Sequence, residues 1–201
     1  TYGRKAEVQF CRDWEEDAKR RDFTINAMYL DLAGNLYDYH HGQSDLAKGI
    51  VKFIGVPRDR IQEDYLRIMR YFRFLAYLPN SHIDQESFKT CTEEMHNVKL
   101  LSAERIKGEL FKILSLKRAP VAIAQMLKAG FFSSVLNMDI KASEQIILCQ
   151  DPTVNFCYLL YLSGIIANSE TLKTICSLLK LSNNEKSLIK ILLEAANTPL
   201  R

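Results

Sequence analysis

Residues 62–74 read Gln62-Glu63-Asp64-Tyr65-Leu66-Arg67-Ile68-Met69-Arg70-Tyr71-Phe72-Arg73-Phe74, and the rest of the chain is organised around them. Pro57 breaks the chain just upstream, and Gln62, Glu63 and Asp64 put polar and acidic groups where a helix start favours them. Leu66, Met69, Arg70 and Arg73 follow at three- and four-residue steps, so the stretch predicts one helix. On such a helix Asp64 and Arg67 project from one face, one turn apart. Asp64 offers only acceptors and Arg67 only donors. Cytosine and adenine each present an amino donor beside a ring-nitrogen acceptor, and uracil and guanine present the reverse order. A fixed Asp/Arg pair therefore suits C and A and opposes U and G. The same two residues also fit an ordinary i,i+3 surface ion pair, which is common on helices and contributes little.

Upstream of this stretch the pattern is α+β. Ala6, Val8 and Phe10 alternate with Glu7 and Gln9 in an extended segment, and Asp13-Trp14-Glu15-Glu16-Asp17 opens a short acidic helix. Asp22 to Asn26 reads as a tight turn into a short helix. Ala27–Leu32 and Leu36–Tyr39 flank Gly34-Asn35 and predict a hairpin. A short helical connection over Gly42–Lys48 and a brief strand over Val51–Ile54 follow. Downstream of residue 74 the strand signals stop. A polar helix is expected over 85–99. Another starts with Ser102 as N-cap and carries the apolar stripe Ile106, Leu110, Ile113 and Leu114. Pro120 marks a helix start and Gly130 a C-cap. Further helices are expected near 143–150, 154–167, 170–181 and 184–196, punctuated by Asp151-Pro152, Asn168-Ser169 and Ser182-Asn183. The expected fold is an α+β part to about residue 55 followed by an all-helical remainder, predominantly α.

The 201 residues are 47% hydrophobic, enough to bury a core, and the net charge of +3 is compatible with a polyanionic partner without requiring one. Five cysteines, with no Cys-x-x-Cys, predict reduced thiols and neither a zinc site nor a disulfide framework. Apolar runs fall far short of a bilayer span, so no membrane is expected. The chain opens at Thr1, inside an extended stretch and without an initiator Met, and the expectation is of a preceding segment outside these residues.

Three stretches can carry chemistry. In Arg20-Arg21-Asp22-Phe23-Thr24-Ile25-Asn26 the paired arginines suit a triphosphate, because guanidinium forks match phosphate oxygens. Asp22 can accept from a ribose hydroxyl and Asn26 can donate to a phosphate or sugar oxygen; composition alone favours a basic surface turn whose Asp22 and Thr24 cap a helix. In the second stretch, Asp38 to Leu46, the residues Asp38, His40, His41 and Asp45 are potential metal ligands at no recognised spacing. Here Asp45 reads as a helix cap and Gly42 as a position needing backbone freedom, the residues of a flexible joint. The third stretch is the opening one, where Arg67, Arg70 and Arg73 form a basic ladder that can meet solvent, phosphates or acidic neighbours. Trp14 and Tyr71-Phe72 suit base stacking or the core. Lys107, Lys112, Lys117, Arg118 and Lys128 suit an RNA backbone or a solvated face.

Taken together and in order, Arg-Arg-Asp-Phe-Thr-Ile-Asn, Asp-x-x-x-Gly-x-x-Asp-Leu and Glu-Asp-x-x-Arg-x-x-Arg resemble motifs B, C and D of the class II tRNA nucleotidyltransferases, the CCA-adding enzymes and their bacterial poly(A) polymerase kin. Ser102-Ala103-Glu104-Arg105-Ile106, with Glu109-Leu110 and Lys112-Ile113-Leu114, resembles motif E, and the likeness is dense to about residue 116. The resemblance implies that Arg21, Asp22 and Asn26, with Arg20 close by, contact ribose and triphosphate. It implies that Asp38, Gly42 and Asp45 form a head–neck hinge. Glu63, Asp64 and Arg67, supported by Arg70, would be a protein template selecting CTP or ATP. It divides the chain into a head part over 1–55, a neck over 56–116 and a body and tail over 117–201. The implied partner is tRNA, gripped at the acceptor stem and elbow. The implied activity is CMP and AMP addition to a tRNA 3′ end, with poly(A) addition or non-catalytic nucleotide and RNA binding as alternatives. The implied compartment is the cytoplasm, with the mitochondrion open.

One departure matters. The family's motif A, a Gly-Gly loop and an Asp-x-Asp pair that holds two Mg²⁺ ions, has no counterpart here: neither Gly-Gly nor Asp-x-Asp occurs in the sequence. The expectation is therefore of the family's sequence without its first part, inactive alone, with Mg²⁺ entering through the missing motif or a separate polypeptide supplying the missing head. A smaller departure is Lys52, where many relatives have Arg.

Overall fold

The computed structural model describes residues 13–140, 149, 151–167 and 169–196. The expected extended stretch before residue 13 lies outside them, as does nearly all of the helix expected over 143–150. Helix α1 spans Trp14–Lys19, and the Asp13 side chain caps it by accepting from the Glu15 N–H at 2.9 Å. A single 3₁₀ turn, Thr24–Asn26, leads into the expected hairpin of β1, Met28–Leu30, and β2, Leu36–Asp38. Tyr29 faces Tyr37 in antiparallel register. Asp31 fixes the turn by accepting from the N–H groups of Ala33 and Asn35 at 2.9 and 2.8 Å, and Gly34 supplies the positive φ of 87°. Helix α2, Gly42–Ala47, then precedes β3, Ile50–Val51.

The stretch read as one helix is two. Helix α3 spans Pro57–Glu63, with Pro57 in its first turn, and α4 spans Leu66–Tyr77. Between them Asp64 is extended, at φ −159° and ψ 105°. The break holds because Asp64 serves both helices. Its N–H donates to Ile61 O, while its Oδ1 and carbonyl accept from the N–H groups of Leu66 and Arg67. Helical periodicity survives such a break, so spacing alone did not reveal it.

Helix α4 is the centre of the core. Ile68, Met69, Tyr71, Phe72, Leu75 and Ala76 are buried on one side, against α6, Ala103–Leu114, and α7, Ala119–Lys128. Burial of each large apolar side chain stabilises by about 1.5–3 kcal/mol, so Tyr71 and Phe72 belong to the interior rather than to a base-stacking surface. Among the described residues one connected cluster of buried apolar side chains takes in Phe23 through to Leu193, and a second, small one joins Ala18, Ala27 and Ile54. The expected stripe of Ile106, Leu110, Ile113 and Leu114 faces it from α6. Ser102 occupies the N-cap of α6 without a side-chain bond to the helix N-terminus.

Other expectations needed correction. Strand pairing does not stop at residue 74: β4, His82–Ile83, pairs in parallel with β3. Each strand has two residues, too few for an alternation to be visible. The strand expected over Val51–Ile54 is correspondingly shorter, with Phe53 making an isolated bridge to Phe23. The polar helix expected over 85–99 is α5, Gln85–Glu93, followed by a 3₁₀ turn over Met95–Leu100. Gly130 takes a positive φ of 77° after α7 and opens α8, Phe131–Leu136, a helix not expected from the sequence. Helices α9, Pro152–Leu162, α10, Glu170–Leu178, and α11, Asn183–Ala196, complete the helical part.

Candidate functional site

The end of α1 and the segment after it are held by arginines that come from α3 and α4. Nη1 of Arg60 donates to the Lys19 carbonyl at 2.9 Å, and Nη2 of Arg67 donates to the Arg20 carbonyl at 2.9 Å. Nε of Arg70 meets Oδ2 of Asp22 at 2.5 Å. Asp22 is turned inward. Its Oδ1 accepts from its neighbour Phe23 N–H at 3.0 Å and from Asn26 Nδ2 at 3.2 Å. Arg21 points the other way, toward Asp17 and the Tyr29 hydroxyl, and its Nη1 donates to Asn26 O at 3.1 Å.

The expected reader residues are held separately. Arg67 donates from Nη1 to the Arg60 carbonyl at 2.8 Å and to Oε2 of Glu63 at 2.5 Å. Asp64 accepts from Nη2 of Arg105, on α6, at 2.9 and 2.7 Å. Arg73, the last rung of the basic ladder, pairs with the buried Glu109.

A cavity of about 750 Å³ opens between these groups, lined by Arg21, Asp22, Asn26, Asp64, Leu66, Arg67, Arg70, Phe74 and Arg105. It gathers six of the residues singled out in the sequence, from two stretches some 40 positions apart in the chain. Arg20 and Glu63 do not line it. Arg20 lies outward, bonded to Asp17 at 2.8 Å, and Glu63 sits behind Arg67 between two guanidiniums. Leu66, Phe74 and Arg105 line it too and were not expected at the site. Arg105 lies in a helix start in the sequence, and only the packing of α6 on α4 brings it to Asp64.

Asp38, Gly42 and Asp45 stand apart from the cavity, around the start of α2. The cap there is Asp38: its two oxygens accept from the Gly42 and Gln43 N–H groups at 2.7 and 2.9 Å. Asp45, read as a cap, instead lies within the helix and accepts from the Thr24 hydroxyl at 2.7 Å. Gly42 is required for space rather than for freedom, because a Cβ there would stand 2.3 Å from the Thr24 carbonyl oxygen. Partial burial opposes the charge on Asp38, and the Gln43, Gly42 and His40 N–H groups outweigh it, holding the carboxyl below its usual range.

The charge pattern suits an anion. Four guanidiniums border the cavity, and its two carboxylates are each engaged by one of them. That donor set does not fit a divalent cation, which needs uncommitted oxygen ligands. Among the described residues no group of three or more His, Cys, Asp or Glu side chains is placed to hold a metal ion. Beside the cavity, the Tyr29 hydroxyl, Arg20 and Arg21 hold Asp17 down to about 2. Cys91, Cys157 and Cys176 are buried free thiols. No helix among the described residues is long and apolar enough to cross a membrane.

Known proteins are similar to this chain in sequence and fold. Residues 2–52 match the family described as the poly A polymerase head domain, and residues 81–138 match the probable RNA- and SrmB-binding site of polymerase A. Together the two matches take in more than half of the chain. The human protein named CCA tRNA nucleotidyltransferase 1, mitochondrial, is 49% identical over 117 residues, 57% of this chain and 27% of that protein. The CCA-adding enzyme of Staphylococcus haemolyticus is 35% identical over 198 residues, 95% of this chain and 47% of that enzyme. The chain thus spans about half the length of this bacterial relative and about a quarter of the human one. The fold is also that of the Bacillus stearothermophilus CCA-adding enzyme solved with CTP, at TM-score 0.77 and 24% identity over 96% of this chain and 49% of that one. The chain belongs to the family of CCA-adding tRNA nucleotidyltransferases and poly(A) polymerases.

Proposed function

We propose that this chain is the nucleotide-selecting and RNA-binding part of a tRNA nucleotidyltransferase that adds CMP and AMP, from CTP and ATP, to a tRNA 3′ end. The observation that carries the reading is the convergence of Arg21, Asp22 and Asn26 with Asp64, Arg67 and Arg70 on one cavity. The bond formed joins the tRNA 3′-hydroxyl oxygen to the α-phosphorus, and the bond broken releases pyrophosphate. In this reading Arg21 and Arg70 balance the triphosphate charge, and Asn26, fixed by Asp22, meets the sugar. Asp64 and Arg67 read the base. Arg67 spends three donors on Arg60 O, Glu63 and Arg20 O, which leaves Nε–H and one Nη2–H for a ligand in a fixed orientation. Residues 38–45 act as the joint between a head part, to residue 55, and the neck, residues 56–116; the remaining helices, with α6 and α7, approach the tRNA stem and elbow through backbone contacts.

The metal-holding carboxylates of the reaction are not supplied by this cavity, and the 201 residues on their own are inactive. The compartment is a reducing one, the cytoplasm first, as the buried thiols suggest. Binding of the four ribonucleoside triphosphates tests the selection step: CTP and ATP bind more tightly than UTP and GTP, and equal binding of all four overturns it. Incorporation of labelled CMP or AMP into a tRNA lacking its 3′ end tests the rest. Addition by the isolated chain contradicts the predicted inactivity. Once the carboxylates are supplied, addition of two or three nucleotides supports the CCA reading and a long tail supports poly(A) addition.

A further inference from the structure

Arg60 does not line the cavity, yet it closes a ring of hydrogen bonds around the residue that does. Its Nη1 donates to the Lys19 carbonyl at 2.9 Å, and its Nη2 meets Oε1 of Glu63 at 2.5 Å. The other oxygen of Glu63 meets Nη1 of Arg67 at 2.5 Å, and Nη2 of Arg67 donates to the Arg20 carbonyl at 2.9 Å. Lys19 and Arg20 are sequence neighbours, so the ring closes through a single peptide bond. A cross-brace runs inside it, from Nη1 of Arg67 to the Arg60 carbonyl at 2.8 Å.

We propose that Arg60 is a specificity-determining positioning residue, which fixes the Arg67 guanidinium by holding Glu63 against the end of α1. The inference rests on the base-reading role of Asp64 and Arg67. Glu63 alone is a poor anchor, because its side chain is 43% exposed and free to follow Arg67. With Arg60 in place, the carboxylate is pinned between two guanidiniums, and Arg67 keeps one orientation. The guanidinium fork reaches the Lys19 carbonyl and Glu63 from two separate nitrogens in one plane; a lysine ammonium at this position has to approach both acceptors from a single nitrogen, with no fixed plane. Arg60 therefore acts on which base is accepted, while the phosphate contacts stay with Arg21 and Arg70.

The test measures CTP, ATP, UTP, GTP and inorganic tripolyphosphate binding to the 201-residue chain and to its Arg60→Ala and Arg60→Lys variants. The expected result is a fall of about tenfold in the CTP-to-UTP affinity ratio for Arg60→Ala, the loss of one oriented hydrogen bond. A smaller fall is expected for Arg60→Lys, and tripolyphosphate affinity stays unchanged in both. An unchanged ratio overturns the inference, as does a parallel loss of all five ligands, which marks Arg60 as a staple for folding alone. Where Arg60→Ala does not fold, Arg60→Lys decides the question: a full wild-type ratio in that variant overturns the inference. A wild-type chain with no preference for CTP and ATP overturns the base-reading role itself, an outcome distinct from a wild-type preference that the variants retain.

Discussion

Asp22 and Arg70 meet at 2.5 Å although 48 residues separate them, and the Asp22 side chain is only 7% exposed while that of Arg70 is 33% exposed. The two ends of this bond are therefore not equivalent. Removing the arginine strands a buried carboxylate, whereas removing the negative charge leaves a guanidinium that water can reach. Arg70→Ala is expected to cost about 2–4 kcal/mol and Asp22→Asn about 1–2 kcal/mol. The double variant should be less than additive, and urea unfolding of the three variants checks it.

Asp64 and Arg67 carry opposite charges, so replacing both by alanine leaves the net charge of the cavity unchanged. The double variant is expected to lose the preference for CTP and ATP over UTP and GTP and to keep most of its affinity for the triphosphate. Calorimetric titration with each nucleotide reads this directly; a surviving preference shows that base selection lies elsewhere.

Gly42 and Gly34 separate two reasons for glycine. At Gly42 a methyl group meets the Thr24 carbonyl oxygen at 2.3 Å, so Gly42→Ala is expected to destabilise by about 1–3 kcal/mol through overpacking. At Gly34 nothing lies within 4 Å and the φ is +87°, so Gly34→Ala is expected to cost about 1 kcal/mol from backbone strain alone. Thermal unfolding should rank them in that order.

Asp17 makes the fold acid-sensitive at a defined place. The Tyr29 hydroxyl, then Arg20 and Arg21, hold its carboxyl at about 2 against an ordinary 3.8. A depressed acid stabilises fully above its unfolded value, and that contribution is lost as pH falls from about 4 through 2. Asp17→Asn is expected to flatten the stability profile in this window. Tyr29→Phe removes the leading cause and should shift the loss to higher pH. Denaturant midpoints between pH 5 and 2 measure both.

Much of this site was legible because its chemistry is local to short motifs. Arg21, Asp22, Asn26, Asp64, Arg67 and Arg70 were each visible as residue types, and the hairpin followed from Gly34-Asn35 between two apolar runs. What escaped depended on packing. Arg105 reaches Asp64 only because α6 lies on α4. The parallel β3–β4 pair has two residues per strand and leaves no period to read. Asp38 and Asp45 are alike in the sequence, and only the backbone geometry at His41, with a φ of 61°, decides which one caps α2. The break at Asp64 left the hydrophobic spacing intact, and spacing was the evidence for one helix.

That break has an electrostatic consequence. In one continuous helix beginning at Pro57, the positive end of the peptide dipoles would lie about 13 Å along the axis from Leu66. The interruption at Asp64 starts a second set of aligned peptides at Leu66, which lines the cavity. The positive pole of α4 therefore stands in the cavity wall, where the Asp64 carboxylate and carbonyl accept from the Leu66 and Arg67 N–H groups, so the main chain itself helps to hold the Asp64 side chain in place.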